Sequence, residues 1–286
     1  MAWSAALAES ITRVPHTYAC ALRFADMDLL GHVNNVTHLD YVSEARADLL
    51  AGHPAADAPV RRHQVDFVRP LVYRREPVCV DTWVCDVGED TITLAHEVYD
   101  APGRGAAETD GRTVYVRVTT VVAHRATTEE RTHLAAYDGP AHTWRELDDE
   151  PRPARAVHPL AVRRTDLGEG GQAQDVVFVE YFQEARVRYF MDLHTRGEQW
   201  TEHVVARTDL DYLGPVTRGG SYEVHSWVGR IGSRSFTVRG ELRDGDRVLA
   251  RSAVVMVSFD STTQRPADMA AAQRARLTEE LEGGVG

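Results

Sequence analysis

The chain carries one pattern twice, and that constrains its fold more than any other feature. Shifting the first half along by 140 residues puts Asp26 on Asp166, Gly31 on Gly171, Tyr41 on Tyr181 and Glu44-Ala45-Arg46 on Glu184-Ala185-Arg186, with no gap. Further on, Asp66, Phe67 and Pro70 match Asp211, Tyr212 and Pro215 at a shift of 145. Trp83, Gly88, Thr93, Glu97 and Asp100 match Trp227, Gly232, Thr237, Glu241 and Asp244 at 144, and Arg117 matches Arg251 at 134. The largest change of shift falls at 101–112, where an insertion belongs. Dispersed, ordered matches of this kind mark a tandem duplication. The 286 residues are enough for two domains at roughly 150 residues each.

Each copy reads the same way. Tyr18 to Phe24 alternates apolar side chains and predicts a strand. An acidic loop with Asp26 and Asp28 follows, and Gly31 permits its turn. A helix is expected from about Val36 to Leu50, capped by Asn34 or Asn35. Val36, Leu39, Val42, Ala45 and Leu49 give it one apolar face. From there the pattern changes to period two, with strands expected at 63–69, 77–87, 91–100 and 113–124. One helix followed by an antiparallel meander is an α+β layout. Residues 127–156 lose the periodicity and predict a linker or wrapping segment, with the acidic run Glu146 to Glu150 and Pro140, Pro151 and Pro153. The divisions expected are 1–126, a linker at 127–156, 157–265, and a helical tail at 266–286 that is predicted to be exposed.

Composition removes several classes. All 32 basic residues are Arg, so Schiff-base chemistry and the phosphate-loop motif, which need Lys, are out. A net charge of −11 argues against nucleic acid or an anionic membrane as partner. No run of about 18 apolar residues occurs. The opening Met1 to Leu7 stretch lacks a basic region and reads as a loose tail. Three cysteines without ligand or redox spacing fit reduced thiols and a cytoplasmic setting.

Phe24-Ala25-Asp26-Met27-Asp28, Gly31-His32-Val33-Asn34-Asn35, Tyr41 and Glu44-Ala45-Arg46 together resemble the 4-hydroxybenzoyl-CoA thioesterase-like branch of the hotdog-fold thioesterases. Phe67-Val68-Arg69-Pro70 and Gly232-Ser233-Arg234-Ser235-Phe236 support the resemblance. It implies two tandem hotdog domains, each an antiparallel sheet wrapped around a long helix, forming a dimer fused into one polypeptide. It also implies an acyl-CoA thioesterase needing no cofactor or metal, CoA being part of the substrate. Whether that fused dimer assembles further into a homo-oligomer stays open.

The resemblance makes Asp28 the catalytic carboxylate, as base or nucleophile, with His32 assisting or orienting. Backbone N–H groups at the helix start, Asn35 first, would polarise the thioester carbonyl. Asp26 reads as structural, because Asp166 repeats it where the rest of the loop is lost: Asp28, His32 and Asn35 become Gly168, Gln172 and Asp175. Half two is therefore expected to be degenerate, with Glu169 the next suspect should Asp28 fail. The family places CoA phosphate contacts at the turn between the middle strands. Gly232, Ser233, Arg234 and Ser235 then become the CoA-binding candidates, against Gly88-Glu89-Asp90-Thr91 in half one. Arg74 and Arg218 are weaker candidates for the same role. Trp83 and Trp227 read as core aromatics. Two alternatives remain: a thioesterase acting on an acyl-carrier protein, and a non-catalytic acyl-CoA binding module.

Overall fold

The computed structural model describes residues 15–100, 112–145, 147, 152–194, 200–263 and 265–283. The expected opening tail, the 101–111 part of the insertion, most of the acidic run and Pro151 lie outside the described residues. Half one contains β1 (His16–Cys20), α1 (Asn35–Leu49), β2 (Val60–Phe67), β3 (Val78–Val87), β4 (Thr91–Asp100), β5 (Thr113–Ala123) and α2 (Thr128–Leu134). Half two follows with β6 (Ala156–Leu160), α3 (Asp175–Leu193), β7 (His203–Tyr212), β8 (Tyr222–Ile231), β9 (Ser235–Asp244), β10 (Arg247–Asp260), the short β11 (Arg265–Pro266) and α4 (Ala271–Glu282). The α+β class and the tandem arrangement hold.

The strands form one antiparallel sheet in the order β1-β3-β4-β5-β2-β7-β10-β9-β8-β6, with β11 beside β10. The order reads the same from both ends under the repeat. The two halves therefore share a sheet, joined where β2 pairs antiparallel with β7 from Arg62–Asp211 to Asp66–Arg207. Gln64 lies opposite Asp209, its own counterpart at the 145 shift, so the pseudo-twofold axis passes through that pair. The core is shared as well. Val36, Leu39, Val42, Ala45 and Leu49 of α1 are buried in one cluster with Phe178, Tyr181, Phe182 and Ala185 of α3. Burying such side chains contributes about 1.5–3 kcal/mol each, so the join is part of the fold and not a surface contact.

One expectation needs correcting. The C-terminal tail is not exposed. Leu277 and Gln273 of α4 are fully buried, and Leu277 joins Tyr189, Phe236 and Val254 in a second core cluster. The stretch from 127 opens with the short helix α2, which Thr127 caps through a capping box. The two helices do the same job in the two halves. Arg131 donates to Val87 O and Gly88 O, and Arg274 donates to Gly232 O and Ser233 O, each pinning its half's hairpin turn. Beyond α2, Trp83 Nε1 donates to Pro140 O and Trp144 Nε1 to Thr119 Oγ1, so 138–145 wraps the sheet.

Candidate active site

The loop before α1 is built mainly by its backbone. Asp28 N–H donates to His32 O at 2.8 Å, Gly31 N–H to Asp28 O at 3.1 Å and Asn34 N–H to Asp26 O at 2.8 Å. Gly31 has φ +75°, in the left-handed region where a side chain would strain the turn. Asp26 fixes the loop to the helix by accepting from Arg23 N–H at 2.7 Å and the Tyr41 hydroxyl at 2.6 Å. Asn34 is the cap, accepting from Val36 N–H at 3.1 Å, so α1 opens at Asn35. The Asn35 N–H has no acceptor among the described residues.

Half two repeats this loop nearly bond for bond. Gly168 N–H donates to Gln172 O at 2.9 Å, Gly171 N–H to Gly168 O at 3.0 Å, and Asp166 accepts from Arg163 N–H and the Tyr181 hydroxyl. Gly168 thus closes the same turn with no side chain at all. The Asp28 carboxylate is dispensable for the loop's shape. Its Oδ1 accepts from Leu30 N–H at 2.9 Å and His32 N–H at 3.1 Å, which orients the group. Its Oδ2 has no partner among the described residues and is half-exposed. The His32 imidazole likewise has none, so the structure brings Asp28, Gly31, His32 and Asn35 into one loop. Glu169 occupies the exposed loop position next to Gly168.

The second group of predicted residues lies apart from the first, at the same end of the sheet. Ser235 of β9 pairs with Val257 of β10, and Val257 with Val204 near the start of β7. The β8–β9 turn, residues 232–234, is therefore level with the start of β7. β7 in turn faces the end of β2, and the chain leaving β2 holds the Asp28 loop. Val33 N–H donates to Leu71 O at 2.7 Å, and His32 bridges to Val72. Three strand spacings, roughly 15 Å, separate that turn from β2. By the twofold, the acidic β3–β4 turn with Glu89 and Asp90 shares its end with the Gly168 loop, which is held by Val216 and Thr217. Each loop thus lies at the same end of the sheet as the other half's turn.

Arg234 itself is exposed, and its Nε donates to Asp268 at 2.7 Å. Arg74 is not available for phosphate, because it is clamped to Asp100 and to the Tyr115 hydroxyl. Arg218 is exposed at the end that carries the Gly168 loop. Around the Asp28 loop the surface is apolar: Phe24, Leu29, Leu30, Val72 and Tyr73 are exposed, with Phe24 and Tyr73 in edge contact. Their counterparts around the Gly168 loop are Arg164, Glu169, Gly170, Thr217 and Arg218.

The start of α3 shows what the sequence reading missed. Asp175, in the place of Asn35, accepts from Arg46 of α1 at 3.1 Å and from His63 Nε2 at 3.3 Å. His63 Nδ1 meets Thr120 Oγ1 at 3.1 Å, Thr120 Oγ1 meets His96 Nε2 at 3.1 Å, and His96 Nδ1 meets Thr82 Oγ1 at 2.9 Å. One proton assignment satisfies the row, running from Thr82 to Asp175 with both rings neutral. Burial lowers His63 and lowers His96 well below the usual value, as neutral rings require. Burial also pushes Asp175 up, but the hydrogen bond from His63 and the charge of Arg46 outweigh it and hold the carboxyl below the usual range.

The matching groups of the other copy have no partners among the described residues. Arg186, the counterpart of Arg46, is buried, and its guanidinium has no hydrogen-bond or ion-pair partner among the described residues. Desolvation alone lowers it to about 10. His38 of α1 is also buried, with Nδ1 unpartnered, and burial lowers it to about 3. The counterpart of His38 is Phe178. A signal for these residues was present in the repeat: Glu-Ala-Arg is kept in both helices while its opposite partner changes from Asn35 to Asp175.

One antiparallel sheet built from two tandem copies, each with the same tight loop before its main helix, defines a double-hotdog type of protein. The sequence profile of the thioesterase-like superfamily matches residues 22–136 and 143–277, and the chain belongs to that family. It is a thioester hydrolase by class. No curated protein matches its sequence. Among solved structures, one named as an oleoyl thioesterase from Lactobacillus plantarum superposes with TM-score 0.64 at 13% identity, covering 86% of this chain and 96% of that one. The 12:0-ACP thioesterase from Umbellularia californica gives 0.63 at 14%, covering 88% and 94%. An acyl-ACP thioesterase from Bacteroides thetaiotaomicron gives 0.61 at 14%, covering 84% and 96%. At these identities the likeness is one of fold. Among the described residues no helix is long and apolar enough to cross a membrane.

Proposed function

We propose that the chain is an acyl-CoA thioesterase with one working site, at the loop before α1. The two halves act as a fused dimer, each wrapping its main helix in its part of the shared sheet. The observation that carries this is the contrast between the two loops: closely matching backbone hydrogen bonds, with a carboxylate at Asp28 where half two has Gly168. Asp28 Oδ2 takes a proton from the attacking water, or attacks the thioester carbonyl itself to form an anhydride that water then opens. In either case the C–S bond breaks and the thiolate leaves with a proton. The Asn35 N–H, at the positive end of the α1 dipole, stabilises the developing oxyanion. Gly31 shapes the loop, and His32 flanks the carboxylate.

Gly232, Ser233, Arg234 and Ser235 hold the CoA phosphates from the other half. Arg234 exchanges Asp268 for phosphate, an easy exchange because exposed ion pairs contribute only about 0–1 kcal/mol. The acidic turn at Glu89 and Asp90 would repel the same phosphates at the opposite end. A second reading, a carrier-protein thioesterase, is favoured by the two ACP thioesterases that align with nearly the whole chain. Arg230 and Arg234, both exposed, would then meet the acidic carrier.

A hydrolysis screen with matched acyl-CoA and acyl-carrier thioesters, run on wild type and Asp28→Asn, tests both. Turnover of CoA thioesters that collapses in Asp28→Asn is expected. Turnover confined to the carrier form selects the second reading. Full activity in Asp28→Asn moves the chemistry elsewhere, and no turnover of any thioester by wild type leaves a binding module.

A further inference from the structure

A buried guanidinium without an anion needs a reason. Removing such a charge from water costs several kcal/mol after relaxation, and only pairing offsets it. Arg46 meets that need through Asp175, and Arg186 does not. It is 8% exposed, no carboxylate acts on it, and it has no hydrogen-bond partner among the described residues. Its charge acts on His203, the first residue of β7, the strand that pairs with β2 from Arg62–Asp211 to Asp66–Arg207. The repeat puts Arg186 opposite the start of α1, as Arg46 stands opposite the start of α3. There the second half has Thr208 and Val254 in the places of His63 and Thr120, so the histidine row that engages Asp175 has no counterpart.

We propose that Arg186 is a specificity-determining residue that receives a carboxylate carried on the acyl chain, so that the preferred substrates are thioesters of dicarboxylic acids. This rests on the thioesterase reading of the Asp28 loop. A neutral acyl chain would leave the charge unpaired in the complex, whereas a carboxylate matches the guanidinium fork with two parallel hydrogen bonds. The CoA phosphates are a poorer fit. They are strongly hydrated, and the exposed Arg234 lies nearer the surface for them. A site built around a polar partner discriminates strongly against analogues lacking it, because its own group is then stranded.

The test compares kcat/KM for succinyl-, glutaryl-, adipoyl- and suberoyl-CoA with the monocarboxylic thioesters of the same carbon number, in wild type, Arg186→Met and Arg186→Lys. Wild type is expected to favour at least one diacid over its matched monoacid by about 10²-fold. Arg186→Met should bring that ratio to near one, and Arg186→Lys should retain part of it. A wild-type ratio at or below one for every pair overturns the proposal, as does a ratio that Arg186→Met leaves unchanged. Calorimetric binding of free adipate and suberate provides an arm that needs no turnover. Binding lost in Arg186→Met supports the carboxylate site even if the protein cleaves no thioester, and that combination would sink the thioesterase reading alone. Thermal unfolding guards against misfolding: Arg186→Met should melt no lower than wild type, since an apolar side chain replaces an unpaired charge. A large fall in melting temperature would show that the charge serves the fold and would overturn the inference.

Discussion

The starts of α1 and α3 are the same place in two copies of one domain, and they have been resolved in opposite ways. At α3, Asp175, Arg46, His63, Thr120, His96 and Thr82 form a continuous polar row that pairs the two charges and both rings, with Arg46 Nη1 left buried and without a partner among the described residues. In the other copy, the Asn35 N–H, one Asp28 carboxylate oxygen, the Arg186 guanidinium and His38 Nδ1 have no partner among the described residues, with His38 Nδ1 fully buried and Arg186 8% exposed. A paired network stabilises the fold, whereas unpartnered groups beside a loop carboxylate suit the chemistry proposed for that loop. One copy serves the fold while the other can be spent on chemistry.

Breaking the open copy should have the largest effect. Asp28→Asn is expected to lower kcat by about 10²–10⁴-fold, with thermal unfolding nearly unchanged, because Asn still accepts from Leu30 and His32. Adding Gly168→Asp to that variant should not restore turnover. A Cβ there meets only Gln174 Cγ at 3.4 Å and Gln172 O at 3.9 Å, so the side chain fits. Yet the start of α3 next to it stays occupied by Asp175 and Arg46. Rescue in the double variant, measured as kcat on one acyl-CoA, would show that the copies differ by a single carboxylate and not by the whole site.

Breaking the closed copy should cost stability instead. Asp175→Ala strands Arg46 and His63 and is expected to destabilise by about 3–5 kcal/mol, whereas Asn35→Ala should change stability by less than about 1 kcal/mol. Denaturant titration of both variants checks this. The sign with pH follows from the depressed carboxyl. Its contribution is complete above the unfolded value near 3.9 and is lost as pH falls below it, so the gap between wild type and Asp175→Ala should narrow below about pH 4. Equal losses for the two variants would abolish the distinction drawn between the helix starts.

His38 gives a milder contrast in a different pH window. Folded, burial holds the ring neutral down to about 3, while the unfolded chain takes up a proton near 6.5. The unfolded state binds more protons between those values, so stability falls as pH drops through them. By pH 5 the ring should cost about 2 kcal/mol. His38→Phe, the residue half two already has at Phe178, should flatten the stability–pH curve between pH 6.5 and 5 by that amount. An unchanged slope would mean that His38 is not kept neutral.

Much of this was legible in the sequence wherever the two copies could be compared position by position. The loop, the apolar face of α1 and the structural role of Asp26 follow from side chains repeated at one shift. Partners across the interface were not legible. Nothing in the spacing of Arg46, His63 and Asp175 says that they meet, because their contact depends on β2 pairing with β7 around Gln64 and Asp209. Taking Asp175 only as a lost Asn35 missed that the substitution completes an ion pair. The C-terminal helix was misread for a similar reason. Its Ala- and Arg-rich stretch looks solvated, yet Leu277 and Gln273 dock it and Arg274 repeats what Arg131 does in half one.

The smallest effect should come from the two hairpin turns, where the copies differ in charge alone. Both turns are pinned by an arginine from the helix that follows the last strand of their half, so changing the tip should leave the fold intact. Arg234 is exposed, and its pairing with Asp268 contributes about 0–1 kcal/mol at most. Arg234→Ala should therefore leave unfolding unchanged and raise KM for an acyl-CoA by about 5–10-fold, the value of one exposed charge-assisted contact. The increase should shrink as salt is added, since screening weakens exposed pairs. It should vanish for the N-acetylcysteamine thioester of the same acyl group, which has no phosphate to lose. Glu89→Ala at the opposite turn should alter neither value. A KM that rises equally for both thioesters after Arg234→Ala would remove the phosphate from the account, and a response to Glu89→Ala would return the second loop to the catalytic half of the comparison.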